Sequence, residues 1–533
     1  MPLTSLRFSA KILTICEANR QYNNIMQRVD RIEVIAMNYT STRDNSVKVS
    51  AAYAIATGIS PDGGLYVPEN IPEFTYDELV EAAKTDYRER AVRVLEKYLT
   101  DFTGEELREC VDGAYTGKFG GENVAPVVDI AENRFVLELW HGPTCAFKDM
   151  ALQLLPHLLT RSVKKTCDGK EIVILVATSG DTGKAALEGF RDVPGTRIIV
   201  FYPVEGVSSI QKRQMVTQEG GNVGVCAIKG NFDDAQTGVK RIFTDPEIAS
   251  ELEKHNMAFS SANSINWGRL APQIVYYISA YADLMNKGVI KNRGDKVNVV
   301  VPTGNFGNIL AAYYAKKMGL PIGKLICASN SNNVLTDFIR TGVYDRNRKF
   351  YTTISPSMDI LISSNLERLI YDLSGCDSAR VKGWMDSLAA TGRYEVDEDV
   401  KAKISELFWA GCCNDASTQE TIKTVFDSRN YLSDTHTAVA LNVLGQYVKE
   451  FGSDVPAIIA STASPYKFAP AVLGAVASDK VSEDEFDMLT ALCDVSGVEI
   501  PAPLAGLKGK AVRFDRVCDG SGMKDTVLDM LGI

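Results

Sequence analysis

Short apolar runs alternate with stretches of helical periodicity along most of the chain. Apolar, β-branched runs predict strands at residues 134–140, 171–177, 196–203, 297–302, 324–329 and 455–461. Apolar residues at helical spacing predict helices at residues 147–160, 183–192, 208–219, 271–284 and 308–319. Strands that alternate with helices form parallel sheets with crossover helices, so the pattern predicts an α/β fold with parallel-sheet domains.

The flanking segments predict how the chain is divided. Residues 61–74 are rich in Gly and Pro, which favours turns, and residues 76–118 have helical periodicity. Residues 340–430 are predicted to be less regular, with acidic helical stretches. We expect four parts, which are an N-terminal extension (1–36), a helical N-terminal subdomain (37–125), an α/β region in two lobes (126–480) and a C-terminal helical segment (481–533).

Composition disfavours several classes of protein. The 533 residues carry a net charge of −10, which argues against nucleic-acid binding and binding to anionic membranes. No apolar run is long enough to cross a bilayer. The 11 cysteines include no C-x-x-C pair, which is typical of reduced intracellular proteins. The four histidines lack the spacing of a zinc site, so we expect no metal.

The N-terminal extension has two interpretations. Residues 1–36 carry five basic residues, and their first acidic residue is Glu17, which would suit an organelle transit segment. The alternative is a start assigned too early, with Met37 as the first residue. Asp30 and Glu33 favour this alternative, because transit segments are poor in acidic residues. We therefore expect a cytoplasmic protein and leave organelle targeting open.

The loop at residues 304–308 (G-N-F-G-N) follows a predicted strand and opens a predicted helix. Ligands of parallel sheets bind at the carboxyl ends of the strands. Glycines next to a helix N-terminus favour phosphate binding, although a tight turn explains the same residues. The spacing matches neither a Walker A loop nor the dinucleotide fingerprint, which disfavours a nicotinamide-dependent dehydrogenase.

Other loops carry candidate polar groups, and each taken alone also fits a turn, a helix cap or a surface charge. Residues 178–183 (T-S-G-D-T-G) suit a carboxylate or phosphate, or they cap a helix. Lys148 begins an apolar helix, where burial would lower its pKa and make it a Schiff-base nucleophile. Residues 260–269 include Arg269, a forked donor for an oxyanion. Thr462 follows the last predicted strand and could contact a ring nitrogen.

Taken together and in this order, these segments resemble the threonine synthases, within the β-family (fold type II) of pyridoxal-phosphate enzymes. The resemblance runs from M-N-Y-T-S-T-R at residue 37 through L-W-H-G-P-T-C-A-F-K-D at 139–149. It continues through T-S-G-D-T-G, S-A-N-S-I-N-W-G-R and G-N-F-G-N. Five ordered motifs over about 400 residues form a specific signal, whereas each motif alone is moderate or weak.

The resemblance implies a role for each candidate residue. Lys148 would hold pyridoxal phosphate as a Schiff base, and Thr462 would face the pyridine nitrogen. The cofactor phosphate would be bound by Gly304, Asn305, Phe306, Gly307 and Asn308. The substrate would be bound by Thr178, Ser179, Asp181, Thr182, Asn263, Ser264 and Arg269. Of these, Thr182, Asn263, Ser264 and Arg269 would contact its phosphate.

The implied reaction converts O-phospho-L-homoserine and water into L-threonine and phosphate, by γ-elimination and β-hydration. The partner would be this small molecule, with no nucleic acid or membrane, and the enzyme would be a monomer or homodimer. One rival is a phospho-lyase that releases a keto acid, ammonia and phosphate. A second rival, a non-catalytic phosphate-ligand-binding protein, is disfavoured because Lys148 is present.

The sequence departs from the family pattern at two positions. Members often carry Asp at the position of Asn308, which puts that phosphate contact in doubt. Lys184 stands where the family usually has a small residue. We expect the Lys184 amine either to strengthen anion binding or to point to solvent.

Overall fold

The computed structural model describes residues 36–121, 123–166, 169–178, 180–205 and 207–533. The predicted N-terminal extension, apart from Ala36, and the candidate residue Ser179 lie outside the described residues. Within the described ranges, no helix combines the length and apolar character needed to span a membrane.

The first part of the described chain combines a small sheet with four helices. Its elements are β1 (Tyr39–Ser41), β2 (Asp44–Val49), α1 (Ala51–Thr57), β3 (Tyr66–Pro68), α2 (Tyr76–Ala83), α3 (Tyr87–Tyr98) and α4 (Gly104–Tyr115). The sheet is antiparallel, in the order β2-β1-β3. The prediction of turns throughout residues 61–74 is therefore wrong at β3, whose three buried residues are too few to show alternation.

The chain then enters a series of parallel strands and crossover helices. Its elements are β4 (Val127–Ala131), β5 (Arg134–Glu138), α5 (Asp149–Leu152), α6 (Leu155–Thr166), β6 (Glu171–Ala177), α7 (Asp181–Phe190), β7 (Thr196–Pro203), α8 (Ser209–Val216), β8 (Val223–Ile228), α9 (Phe232–Phe243), α10 (Pro246–Lys254), β9 (Met257–Ser260) and α11 (Trp267–Asn286).

A second series follows the long helix α11. Its elements are β10 (Val297–Pro302), α12 (Gly307–Lys317), β11 (Ile322–Ser329), α13 (Val334–Thr341), β12 (Val343–Asp345), α14 (Leu366–Leu373), α15 (Ser378–Thr391), β13 (Arg393–Glu395), α16 (Glu398–Leu407), β14 (Phe408–Cys412), α17 (Asp415–Arg429), α18 (Thr435–Phe451) and β15 (Ala457–Ser461). The remaining elements are α19 (Ala469–Val476), α20 (Glu485–Ser496), α21 (Ala502–Ala505), β16 (Val517–Cys518) and α22 (Met523–Leu531), with 3₁₀ turns at 356–358, 465–468 and 478–480.

These strands build two large sheets that are interleaved in the sequence. One has six strands in the order β14-β11-β10-β15-β5-β4, with β4 antiparallel to β5 and the other pairings parallel. The other has five parallel strands in the order β16-β8-β7-β6-β9. The predicted α/β fold with parallel-sheet domains is confirmed, and all six predicted strands are present, as β5, β6, β7, β10, β11 and β15.

The helix predicted at residues 147–160 is two helices, α5 and α6. Pro156 lies in the first turn of α6, where its missing N–H costs nothing, but its ring does not fit a continuous helix. At the break, helix α7 approaches closely, since a Cβ on Gly189 would lie 2.0 Å from the Leu152 carbonyl oxygen. The break leaves Lys148 directly before the short helix α5, as its N-cap residue.

Helix α11 forms the centre of the core. Its residues are nearly all buried, and Trp267 at its start packs edge-on against Tyr39, Tyr98 and Tyr314. This cluster joins the N-terminal unit to the helix that follows β10. The loop that leads into α11, and with it Arg269, is therefore anchored by apolar packing on its inner side.

Candidate functional site

The candidate residues lie at the carboxyl ends of parallel strands. Lys148 follows β5, Asp181 begins the helix after β6, Gly304 follows β10, and Thr462 follows β15. The Lys148 and Thr462 loops are directly joined, because the Phe147 N–H donates to the Thr462 carbonyl at 2.8 Å. The sheet topology thus brings together residues that are far apart in sequence.

Lys148 has a buried amine. Its side chain is 11% exposed, and Nζ lies 3.5 Å from Asp181 Oδ2 and 3.4 Å from Ser357 Oγ. Burial lowers the pKa of Lys148, the positive charges of Lys467 and Arg269 lower it further, and Asp181 opposes the shift. A lysine with a lowered pKa has more of the uncharged amine that attacks a carbonyl.

Asp181 is the acidic centre of this cluster. Its Oδ1 accepts hydrogen bonds from Lys467 Nζ at 2.6 Å and from Gln211 Nε2 at 2.9 Å. Its Oδ2 faces Lys148 and accepts from Ser357 Oγ at 3.4 Å. Burial acts to raise the pKa of Asp181, but Lys467 and Lys148 outweigh it, so the pKa is lowered. The carboxylate therefore stays charged and orients both amines.

Lys467 is a component that sequence reasoning missed. Its side chain is fully buried, and besides Asp181 its Nζ contacts the Thr144 carbonyl at 2.9 Å. The residue belongs to the segment A-S-T-A-S-P-Y-K-F at residues 460–468, in which the sequence indicated only Thr462 as a candidate. A lysine six residues after the end of an apolar strand was the available signal, yet most such lysines are solvated.

The glycine turn at residues 304–308 is built from backbone. Phe306 has a left-handed φ of 62° and precedes helix α12, which no side chain caps, so the first-turn N–H groups face the turn. A Cβ on Gly304 would lie 2.8 Å from the Ser357 carbonyl oxygen, so a larger residue does not fit without a backbone shift. Ser363 Oγ donates to the Gly304 carbonyl at 2.7 Å and fixes the turn. Such a turn suits a phosphate.

Asn308 lies in the first turn of α12, at the predicted phosphate site. Its Oδ1 accepts a short hydrogen bond from the Tyr277 hydroxyl. Its Nδ2 is buried and has no hydrogen-bond partner among the described residues. A buried donor without a partner is costly unless a ligand supplies an acceptor, so Asn308 fits the cofactor phosphate despite the departure from the family pattern.

Arg269 is the centre of a second candidate anion site. Its guanidinium is buried, Nη1 donates to the Ala262 carbonyl at 2.9 Å, and Nε has no partner among the described residues. Burial lowers its pKa to about 10. In the described part of the chain, no carboxylate forms an ion pair with it. A buried cation of this kind requires an anion, and the half-buried Ser264 and Thr182 and the exposed Asn263 are its predicted neighbours at that anion.

Asn365 connects the two candidate anion sites. Its Nδ2 donates to the Asn305 carbonyl at 3.1 Å and to the Ser264 carbonyl at 3.2 Å. Arg368 extends this support, since Nη2 donates to the Ile265 carbonyl and Nη1 to Asn365 Oδ1. The sequence offered no sign of either residue, because they lie in the segment predicted to be irregular.

Thr178, in the loop at residues 178–183, and Lys184, which follows this loop, form hydrogen bonds within the protein itself. The Thr178 hydroxyl accepts from the N–H groups of Gly180 and Gly183, each at 3.0 Å, so its substrate contact stays a prediction. Lys184 does not point to solvent, because its buried Nζ donates to Glu188 Oε2 at 3.0 Å and to Gln218. Its charge is neutralised within helix α7.

Comparison with known families accounts for most of the chain. The family described as threonine synthase N terminus matches residues 38–115, and threonine synthase C-terminal matches residues 437–526. Between them, the family of pyridoxal-phosphate-dependent enzymes matches residues 128–398.

Individual relatives carry the same names. Threonine synthase-like 1 of Homo sapiens is 40% identical over 476 residues, covering 87% of this chain and 63% of that protein, so the chain spans less than two thirds of its length. The threonine synthase of Pseudomonas aeruginosa is 39% identical, with 82% and 90% covered. The crystal structure of pyridoxal-phosphate-bound threonine synthase from Brucella melitensis superposes with a TM-score of 0.82 at 36% identity, covering 93% and 99% of the chains.

Proposed function

Because the chain belongs to the threonine synthase family of pyridoxal-phosphate-dependent enzymes, we propose that it converts O-phospho-L-homoserine and water into L-threonine and phosphate. Family membership confirms the fold type II architecture and the pyridoxal-phosphate cofactor expected from the sequence. The substrate, the product and the residue roles belong to the proposal, as do a cytoplasmic location and a monomeric or homodimeric state.

One observation carries the proposal, which is that the buried Lys148 amine is linked to two different candidate anion sites, the glycine turn at residues 304–308 and Arg269. The Ser357 hydroxyl accepts from this amine at 3.4 Å, and the carbonyl of the same serine abuts Gly304 in the glycine turn. The positive charge of Arg269 acts on the same amine, since it lowers the pKa of Lys148. With a cofactor phosphate at the turn and a substrate phosphate at Arg269, the amine would serve both ligands.

The residues have distinct tasks in this reaction. The bound cofactor supplies a carbonyl for attachment and an electron sink for the substrate carbons. Lys148 would hold the cofactor, and its amine, when free, would take the α proton and then the β proton of the substrate. Protons would return at the γ carbon, which becomes the methyl group once phosphate has left, and at the α carbon, while water adds at the β carbon. Arg269 binds the phosphate and stabilises the charge that develops as it leaves.

Two further residues orient the reactants. Asp181 keeps Lys148 aligned through Oδ2, while Lys467 and Gln211 hold Oδ1. Thr462 is buried, and its carbonyl accepts from the Phe147 N–H, so its position follows that of Lys148. A neutral hydroxyl at the pyridine nitrogen would disfavour full protonation of the ring, which we propose directs electrons toward elimination.

The test is incubation of the holoenzyme with O-phospho-L-homoserine, followed by identification of the amino-acid product and measurement of phosphate. Threonine and phosphate in equal amounts support the proposal, whereas a keto acid with ammonia supports the phospho-lyase. Lys148→Ala is expected to abolish turnover and covalent cofactor attachment. Lys164→Ala, at an exposed lysine of α6, is the matched control and should behave as the unmodified enzyme.

A further inference from the structure

We propose that His436 is a positioning residue, which acts on Lys148 by fixing the place of Ser357. The kinetic part of this inference rests on the proposed function, whereas its spectroscopic part does not. His436 is the second residue of helix α18 and is 2% exposed. No motif in the sequence pointed to it.

The hydrogen bonds of His436 define which ring nitrogen carries the proton. Nδ1 lies 2.9 Å from Oδ1 of Asp434, the capping residue of α18, so Nδ1 donates to the carboxylate. Nε2 lies 3.1 Å from the Ser357 backbone nitrogen and accepts its N–H. The Asp434 side chain therefore fixes the tautomer that Ser357 requires.

Ser357 is the point where three parts of the site meet. Its hydroxyl accepts from Lys148 Nζ and donates to Asp181 Oδ2, both at 3.4 Å. Its carbonyl fills the space that a side chain on Gly304 would occupy. A displacement of this residue would thus move the reactive amine and the glycine turn relative to each other.

Few regular contacts hold Ser357 otherwise. It lies in a short 3₁₀ turn at residues 356–358. This turn is the only helix or strand between the described residues 346 and 365. The bond to His436 ties this turn to a long helix whose first residues also reach the Thr462 loop, since Thr437 Oγ1 donates to Ser461 Oγ at 3.0 Å. Helix α18 thereby sets the spacing of the two loops on either side of Lys148.

The alternative is that His436 only fills space beside Phe468, whose ring centroid lies 4.8 Å away. In that case the site would depend on the shape of the His436 ring and not on the hydrogen bond that Nε2 accepts. His436→Phe removes the acceptor and keeps an aromatic ring, whereas His436→Gln keeps an acceptor on a side chain of similar reach. His255→Phe, at an exposed histidine at the end of α10, is the control.

The experiment compares the holoenzymes by three readouts, which are the absorption spectrum of bound pyridoxal phosphate against pH, the rate at which apoenzyme takes up the cofactor, and kcat with KM. For His436→Phe we expect an altered spectrum, slower uptake and a kcat lowered by about ten- to a hundredfold with little change in KM. His436→Gln should recover most of each value. Equal behaviour of the two variants would overturn the inference.

A double-mutant cycle tests whether His436 acts through the Ser357 hydroxyl. With Ser357→Ala as background, adding His436→Phe should lower kcat by a smaller factor than in the unmodified protein, because the hydroxyl that contacts Lys148 is already absent. Fully additive losses of kcat would overturn the proposed route. Thermal unfolding of each variant identifies misfolding, and His436→Gln keeps the test valid if the phenylalanine variant is unstable. If O-phospho-L-homoserine is not turned over, the proposed function fails, and the spectrum and uptake rate still decide on His436.

Discussion

The two candidate anion sites would use different chemistry for the same kind of ligand. The glycine turn at 304–308 has no charged side chain and relies on a left-handed Phe306, a side-chain-free Gly304 and an uncapped helix N-terminus. The site at the start of α11 relies on Arg269, the third residue of that helix, a full charge buried without a carboxylate partner in the described chain. A helix end offers about half an elementary charge, whereas a guanidinium offers a whole one with forked donors.

This difference matches the fates of the two phosphates in the proposed reaction. The cofactor phosphate stays bound through every cycle, so a rigid neutral turn with many weak donors suffices. The substrate phosphate must leave, and the charge that it gains during departure is best stabilised by a preorganised cation. Substitutions at the two sites should therefore separate cofactor retention from turnover.

Arg269→Met should have the largest effect. We expect kcat/KM for O-phospho-L-homoserine to fall by about 10²–10³-fold while the cofactor content is unchanged. Removal of a buried unpaired charge should at the same time raise the thermal stability of the protein without substrate or phosphate. Arg241→Met, at an exposed arginine, is the control for both measurements. If Arg269→Met instead loses the cofactor, Arg269 belongs to the cofactor phosphate and the comparison fails.

Gly304→Ala should have the opposite pattern. Its Cβ would meet a backbone oxygen at 2.8 Å, which a side-chain rotation cannot relieve, so the turn must shift. We expect about ten- to a hundredfold weaker cofactor binding, measured by titration of the apoenzyme. At saturating cofactor, KM for the substrate should be nearly normal. Gly383→Ala is the control, because a Cβ there meets no atom within 4 Å, and loss of binding in both variants would argue against a specific role for the turn.

Lys467→Met should move the pH dependence of cofactor uptake to higher pH without changing the two candidate anion sites. Burial lowers the pKa of Lys148 and the charge of Lys467 lowers it further, so loss of that charge should raise it. The fraction of uncharged amine at a given pH then falls, and the rate of cofactor uptake should rise at higher pH than in the unmodified protein. Uptake is measured from about pH 6 to 10, around the shifted range.

Lys480→Met, at an exposed lysine, is the control for this shift. An unchanged profile, or one moved to lower pH, would show that the charge of Lys467 does not lower the pKa of Lys148, and would leave burial, Arg269 and Asp181 as its determinants. That result would not affect the assignment of the two candidate anion sites, but Lys467 would no longer explain the reactivity of the Lys148 amine.

The sequence predicted the buried strands that carry the candidate loops better than it predicted the other strands of the two sheets. The run E-I-V-I-L-V-A matches β6 from Glu171 to Ala177, since a buried parallel strand is a continuous apolar stretch between polar flanks. Strands β8 and β14 were not predicted. A glycine interrupts each of them and β14 has no β-branched residue, so pairing with neighbouring strands decides their conformation.

The site shows the same limit at the level of side chains. Lys148 could be found because an ordered set of motifs surrounds it, whereas Ser357 lies 209 positions away and makes its contact through an irregular loop. His436 and Asn365 act through hydrogen bonds that depend on how two loops are placed in space. Local patterns carry no information about such pairs, which arise only when the sheets have formed.

Lys184→Met should have the smallest effect on catalysis. Lys184 shares helix α7 with Asp181, yet its amine pairs with Glu188 and Gln218 rather than with a candidate anion-binding residue. We expect unchanged cofactor binding and kcat/KM, with a loss of about 1–2 kcal/mol in stability for the buried hydrogen bonds. The loss should stay modest because Arg191 remains 3.1 Å from Glu188. A fall in kcat/KM with normal folding would assign Lys184 to the substrate phosphate and make Arg269 one of two cations there.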